Sequence, residues 1–385
     1  MAVFADMYLT QPLLPALSRE FGVSATAAST TISAVVLTIA LVSSGYGPLG
    51  EVAGQKNVMV GGATLLAAAT LGCAFAPNFE VLVGLRALQG LFVPAVSAVA
   101  VAYLGALRGR RDPGSLVGIY IGATVLGGLF GRVGSGLIAD AFSWRASFVV
   151  FTFVTLAAAL ALALAVPARP AGSRTNFGKA FRSAYAEMGE HFSDSRLLGA
   201  FVAGATLFFG FIGLFTYLPY LLSAPPYSLS TAAVAWIYAS YLAGVFTAPL
   251  AGRLSERVPR RALMGAGFVI ALAGVALTTA HALAAIVSGT IVLCIGMFTA
   301  QAIAPAYVNV TARAAKGGAN ALYQAFYYVG AVLGSTLPGL AWERFGWSGV
   351  ALTCGASLGI GLVASVAFCY EGDERGAPPD LALSR

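Results

Sequence analysis

Charge is the scarce ingredient of this sequence. Asp, Glu, Lys and Arg make up 10% of it and hydrophobic residues 58%, whereas a soluble globular domain carries about a quarter charged residues to keep its surface wetted. Water is therefore not its main solvent. Histidine occurs only as His191 and His281, in a linker and a loop, which leaves little material for a His-based hydrolase or a metal centre. Cys73, Cys294, Cys354 and Cys369 all lie inside apolar segments, without the close pairing of a zinc site or redox motif, and read as small packing residues. No nucleophile with its base stands out, so an intramembrane enzyme is the weakest reading and no cofactor is implied.

What is present is a series of long uncharged runs. No Asp, Glu, Lys or Arg occurs in 197–252, 262–312, 317–342 or 345–370. A spanning helix needs about 20 apolar residues, so the first two runs hold a pair of spans each and the last two one each. The first half repeats this count. The expected spans are 1–17, 28–50, 58–75, 79–107, 115–141, 146–166, 197–222, 231–251, 262–280, 283–311, 317–342 and 347–370. A soluble helical core would need a polar shell that these stretches do not supply, and a β-barrel would alternate with period two. The fold class is thus all-α integral membrane, with a lipid bilayer as its surroundings.

The net charge of +7 raises the question of nucleic acid, but its distribution answers to membrane topology instead. Seventeen of the 22 Lys and Arg fall on one side of the alternating loops; only Arg19, Arg145 and Arg344 fall on the other, and Arg86 and Arg132 lie within spans. The positive-inside rule makes the rich side cytoplasmic, with both termini and the middle loop. That loop, 167–196, begins with a Pro- and Gly-containing joint and continues with Phe177, Phe181, Tyr185, Met188 and Phe192 on one helical face. It reads as an interfacial amphipathic helix, or as a solvated tether with incidental aromatics. The expected organisation is a six-helix bundle at 1–166, the linker, a second bundle at 197–370 and a cytoplasmic tail at 371–385.

An internal repeat supports the division. Gly47, Glu51 and Lys56 return 205 positions later as Gly252, Glu256 and Arg261; Tyr120, Gly127, Gly131, Gly136, Asp140 and Trp144 return after 203 as Tyr323, Gly330, Gly334, Gly339, Glu343 and Trp347. Duplicated halves place a solute path between them.

These residues resemble the major facilitator superfamily over nearly the whole chain. The stretch Gly47, Leu49, Glu51, Gly54 and Lys56 is similar to that family's Gly-x-Leu-x-Asp-Arg-x-Gly-Arg-Lys loop, with Glu51 for Asp, Val52 for the first basic residue and Gln55 for the next. The second copy keeps Glu256, Arg257, Arg260 and Arg261 but has Pro259 for Gly. The resemblance implies a state-dependent cytoplasmic charge latch at Glu51, Lys56, Glu256, Arg257 and Arg260; a turn whose charges only set topology is the alternative. Arg86, Gln89 and Gly90 resemble the Arg-x-x-Gln-Gly motif of proton-coupled members, although Arg86 near the outer end also suits snorkelling. Gly118, Gly127, Gly131 and Gly136 have the spacing of the Gly-rich antiporter motif, with Arg132 and Ser135 at its Pro and Gly positions. Packing alone accounts for the Gly127 and Gly131 pair and its repeat, Gly330 and Gly334. The run from Gly127 to Arg132, with Gln11 to Pro15, looks most like bacterial drug or sugar efflux permeases of the inner membrane.

Asp6 is the one carboxylate well inside a span, about 18 Å from the outer end at 1.5 Å per residue. Arg132 lies at a similar depth in span 5, so the two share a level if those helices are neighbours. Asp6 is then read as exchanging a proton for substrate, with Arg132 and Arg86 setting its charge across the cycle; a structural ion pair is the alternative. Two arginines against one aspartate also leave positive charge that suits an anionic solute. The second half offers aromatics and amides instead: Phe208, Phe211, Phe215 and Tyr217, Tyr238 and Tyr241, and Gln301, Asn309, Tyr323, Gln324 and Tyr327. With Gln11 they are read as an apolar, aromatic cavity for an amphipathic small molecule. The leading expectation is a monomeric proton-coupled exporter; a sugar or organic-anion uniporter or importer, and a non-transporting membrane sensor, are the alternatives. Span 1, with Pro12 and Pro15 and no preceding basic residue, reads as shortened at its cytoplasmic end.

Overall fold

Lipid leaves the backbone no partner but itself, which makes helices of the apolar runs. The computed structural model describes residues 1–105, 113–167, 189–312 and 316–370. Among them, ten helical segments are long and apolar enough to cross a membrane. One of these, Gly317–Phe368, holds a non-helical Gly346 at φ 57° and is two passes. The first pass, interrupted, makes the total twelve.

Spans 2 to 7 are Ala25–Ala53, Gln55–Ala74, Phe79–Gly105, Pro113–Ala141, Trp144–Ala165 and Ser195–Ser223. Spans 9 and 10 are Arg260–Leu277 and Leu283–Thr311, and Lys316–Phe368 holds spans 11 and 12. Their starts follow local chemistry: the hydroxyls of Ser24, Ser143 and Ser230 and the carboxylate of Asp194 accept from backbone N–H groups of the first turns of spans 2, 6, 8 and 7. Gly54, at φ 85°, allows the sharp passage from span 2 to span 3.

Two spans expected to be continuous are not. Span 1 consists of Ala2–Tyr8, a 3-10 turn Gln11–Leu13, and Leu14–Phe21. Pro12 lacks the N–H that the Tyr8 carbonyl would accept, and Leu13 N–H turns back to Thr10 at 3.0 Å. Span 8 is Thr231–Ile237, a 3-10 turn Tyr238–Tyr241, and Leu242–Leu254, although no proline or glycine lies in that turn. The aromatics expected on the middle loop at 177–188 and the tail at 371–385 fall outside the described residues. Phe192, at the loop's end, has its ring 6.3 Å from that of Phe326 in span 11.

Glycine sets how the spans meet. A Cβ at Gly127 or Gly131 in span 5 would overlap the backbone of Met1 or Ala5 in span 1; one at Gly330 or Gly334 in span 11 would overlap the backbone of Ala205 or Phe209 in span 7. The two contacts are copies related by the internal repeat. The first six spans meet the last six along span 2 against span 11 and span 5 against span 8. Side-chain hydrogen bonds across this division include Ser18–Tyr220 at 2.7 Å, Ser33 to Ser335 at 2.7 Å and Thr336 at 2.8 Å, and Gln11 to Thr216 at 3.4 Å. They lie at mid-depth or toward the face away from the basic loops. The seam is tied on that face.

Candidate proton and solute site

The interruption of span 1 leaves carbonyl oxygens at the end of Ala2–Tyr8 without the next helical turn. Arg86, fully buried in span 4, takes them: Nη1 donates to the Asp6 carbonyl at 2.8 Å and Nη2 to that of Met7 at 2.6 Å. Its Nε donates to the Thr31 carbonyl at 3.0 Å, and Nη1 also reaches Gln89 Oε1 at 2.6 Å. Gln89 in turn donates to Thr70 Oγ1 at 2.6 Å. Arg86 therefore faces inward rather than snorkelling, and it caps a broken helix with a cation where the helix dipole is negative.

The Asp6 carboxyl lies on the other side of the same turn. It is the one buried carboxylate among the described residues. Thr155 of span 6 donates to Oδ2 at 2.5 Å, and Oδ1 has no hydrogen-bond partner. The ion pairs described are Glu20 with Arg145 and Asp194 with Arg196, both near span ends. Asp6 is thus paired with neither buried arginine, and the shared level expected for Asp6 and Arg132 does not bring their side chains together. Span 1 turns Asp6 toward span 6 and Tyr8 and Gln11 toward Arg132, because residues two apart on a helix point to opposite faces whereas residues three apart share one.

Arg132 sits at the seam, 1% exposed. Its Nε donates to Gln11 Oε1 at 2.5 Å and its Nη1 to the Gly128 carbonyl at 2.9 Å. The guanidinium carbon lies 3.9 Å from the Tyr8 ring centre, 4.5 Å from Tyr241 and 5.4 Å from Tyr238. Both interrupted spans meet here, since Tyr8 and Gln11 flank the break in span 1 while Tyr238 and Tyr241 are the 3-10 turn of span 8. The Gln11 amide continues to Thr216 of span 7.

Aromatic contacts extend from this cage into the second half. Phe215 lies 4.8 Å from Tyr241 and 5.4 Å from Tyr238, and Phe211 lies 4.9 Å from Tyr241. Phe208 stacks on Tyr327 at 3.8 Å, and Tyr323 donates to Gln301 Oε1 at 3.0 Å. Gln324 is half-buried beside them, whereas Asn309 is exposed and pairs with Asn320. At the basic face Glu51, Lys56, Glu256 and Arg257 have no side-chain partner among the described residues, and Arg260 opens span 9 beside them. Sequence reasoning missed Tyr8, Thr155 and Thr216. Tyr8 had a signal, its place between Asp6 and Gln11; Thr155 and Thr216 had none, being single hydroxyls in apolar runs.

The fold has known counterparts. The profile of the Major Facilitator Superfamily matches residues 1–240 and 224–383. The inner membrane transport protein YnfM of Escherichia coli K12 is 32% identical over 356 residues, 91% of this chain and 84% of that protein. The MFS-type transporter YybF of Bacillus subtilis strain 168 is 32% identical over 351 residues, 90% and 85% of the two chains. A bacterial homolog of the human lysosomal transporter Spinster, in an inward-facing conformation, superposes with a TM-score of 0.74 at 16% identity, covering 96% of this chain and 92% of that one. The nucleoside transporter NupG gives 0.75 at 14% identity, with 95% and 97% covered. The two structures share the fold, and the two relatives share sequence along most of its length. The chain belongs to the Major Facilitator Superfamily and is a membrane transporter, not an enzyme.

Proposed function

We propose that this transporter exports a small amphipathic solute in exchange for protons, by alternating access between two six-span bundles at 1–166 and 197–370. The observation that carries this is Asp6: a fully buried carboxyl with one oxygen held by Thr155 and the other unpartnered, at the break of a helix whose end is gripped by Arg86. An ionisable group kept inside a membrane is costly and marks an ion or proton path. Span 1 bears on span 5 through Gly127 and Gly131, and the next residue, Arg132, touches the second bundle. A change of charge at Asp6 thus acts on the element that forms the seam, which gives coupling a contiguous route.

The excess of Lys and Arg on one side supports cytoplasmic termini in a bacterial inner membrane. On that orientation the seam is tied on the outer face, which agrees with the inward-facing state of the Spinster homolog. Glu51, Lys56, Glu256 and Arg257, which have no side-chain partner among the described residues, suit the same state, in which the cytoplasmic loops are apart. Phe208, Phe211, Phe215, Tyr238, Tyr323 and Tyr327, with Gln11, Gln301 and Gln324, supply an aromatic wall with few polar groups. One chain contains both sides of the path, so a monomer is sufficient.

The test is flux into vesicles under an imposed pH gradient. Asp6→Asn is expected to lower gradient-driven flux by about tenfold or more, the scale of a coupling of ~1.4 kcal/mol, while gradient-free exchange persists. Full gradient-driven flux in Asp6→Asn overturns the reading.

A further inference from the structure

We infer that the solute is an organic anion with an apolar body, and that its carboxylate docks on Arg132 between Tyr8, Tyr238 and Tyr241. The inference rests on the carrier reading and adds the chemical class of what is carried. It begins with the charge balance of the interior. Among the described residues Arg86 and Arg132 are both buried, against Asp6 alone. The surplus is positive whatever the charge on Asp6.

The two arginines are not equivalent as places for a counter-charge. Arg86 has all three nitrogens engaged by the carbonyls of Thr31, Asp6 and Met7 and by Gln89. Four of its five N–H donors are used, against two of five at Arg132. Arg132 has Nε on Gln11 and Nη1 on Gly128, both neutral acceptors, and its Nη2 makes no hydrogen bond to the described residues. A neutral acceptor satisfies a donor without cancelling charge, and ring faces do so only in part. A planar guanidinium with a free edge is matched by a carboxylate.

The internal repeat shows that this seam is the unusual one. Adding 203 to Arg132 gives Ser335, and adding 205 to Ser33 gives Tyr238. Ser33 with Ser335 and Tyr238 with Arg132 are thus the same contact in the two seams. One is closed by a hydroxyl pair at 2.7 Å. The other replaces that pair with a cation over aromatic rings. Hydroxyls complete each other, whereas the cation and rings leave a charge and apolar faces, the two halves of a site for an aromatic or aliphatic carboxylate. Tyr8, half-buried, is the ring through which Arg132 is reached. Phe211 and Phe215 beyond Tyr241 would wall the apolar body. Since Tyr8 and Gln11 come from one half and Tyr238 and Tyr241 from the other, the solute binds where the halves must separate.

The test reads binding to the purified transporter in detergent with no gradient. The probes are 1-naphthoate and octanoate, their uncharged amides, and tetraphenylphosphonium as a lipophilic cation, followed by calorimetry and by thermal stabilisation. One of the two carboxylates is expected to bind about tenfold or more tightly than its amide, with the cation weaker than either. Arg132→Gln is expected to abolish that preference and Arg132→Lys to retain part of it. Equal binding of acid and amide, no saturable binding of either carboxylate, preference for the cation, or an anion preference that survives in Arg132→Gln overturns the inference. The acid–amide comparison uses the unmutated protein, so a variant that fails to fold leaves the test intact. Anion binding without proton-driven flux sustains this site and removes proton coupling. Proton-driven flux of a cation that survives Arg132→Gln does the reverse.

Discussion

Arg86 and Arg132 are both arginines buried in apolar spans, and their neighbours give them different work. Arg86 gives four of its five N–H donors to the carbonyls of Thr31, Asp6 and Met7 and to Gln89, and so holds the end of a broken helix. Arg132 keeps an unused edge at the seam between the two halves. Glu20 shows the opposite environment. It closes span 1 at the face away from the basic loops, accepting from Trp144 Nε1 and pairing with Arg145, whose guanidinium carbon lies 4.3 Å from the Trp144 ring centre. Partial burial raises its pKa, but the hydrogen bonds from Arg145 and Trp144 and the Arg145 charge outweigh that and leave it below its usual 4.5. A carboxyl whose folded value is depressed stabilises the fold above its unfolded value, and that contribution disappears as pH falls through the folded one. Both side chains are 39% exposed, so screening keeps the pair's worth to under about 1 kcal/mol. Glu20→Gln is therefore expected to show a small deficit in thermal stability at neutral pH that closes on acidification below 4.5. A deficit that persists unchanged in acid would show that the side chain acts through packing alone.

Elements here are tuned by interruption and by close approach. Span 1 breaks for a reason visible in its sequence, two prolines in a short apolar run. The 3-10 turn in span 8 has no such marker and coincides with the placing of Tyr238 and Tyr241 around Arg132. Spans 1 and 5 touch backbone to backbone at Gly131, and spans 7 and 11 at Gly334. Ala at either place must push a whole helix, since the obstruction is main chain. Gly131→Ala and Gly334→Ala are expected to cost about 1–3 kcal/mol each, the range for overpacking. Gly355→Ala, which meets nothing within 4 Å, is expected to be neutral or stabilising by up to about 1 kcal/mol through helix propensity. Thermal unfolding of the three variants in one detergent compares them, and equal losses at all three would refute the close-approach argument.

At the scale of the molecule the two halves share a plan and differ in chemistry. The repeat that relates Gly131 to Gly334 also relates Asp6 to Gly210, by the shift of 204 between Met1 and Ala205. Among the described residues buried charge is concentrated in one half and aromatic surface in the other, so the seam between them has two unlike walls. The tie between span 2 and span 11 is expected to open and close with each cycle. Ser33→Cys with Ser335→Cys, whose hydroxyls are 2.7 Å apart, is expected to cross-link under oxidant, to stop flux, and to recover it under reductant. The native cysteines are buried and unpaired, so they leave the readout clean. Undiminished flux in the cross-linked protein would rule out motion at this seam.

The twelve passes, their approximate ends, the repeat and the sidedness of charge were legible in the sequence, as were Asp6, Arg86 and Arg132 as the ionisable groups of the interior. These follow from local rules: in lipid an apolar run of sufficient length must satisfy its backbone internally, and charges must stay outside unless something holds them. Which groups hold them was decided only in three dimensions. Asp6 goes to Thr155, 149 positions away, and Arg132 to rings of span 8. Between helices, lipid-soluble faces are nearly interchangeable, so neighbours are chosen by glycine-sized approaches and hydrogen bonds scattered along distant segments. No periodicity within one segment records a partner that lies in another.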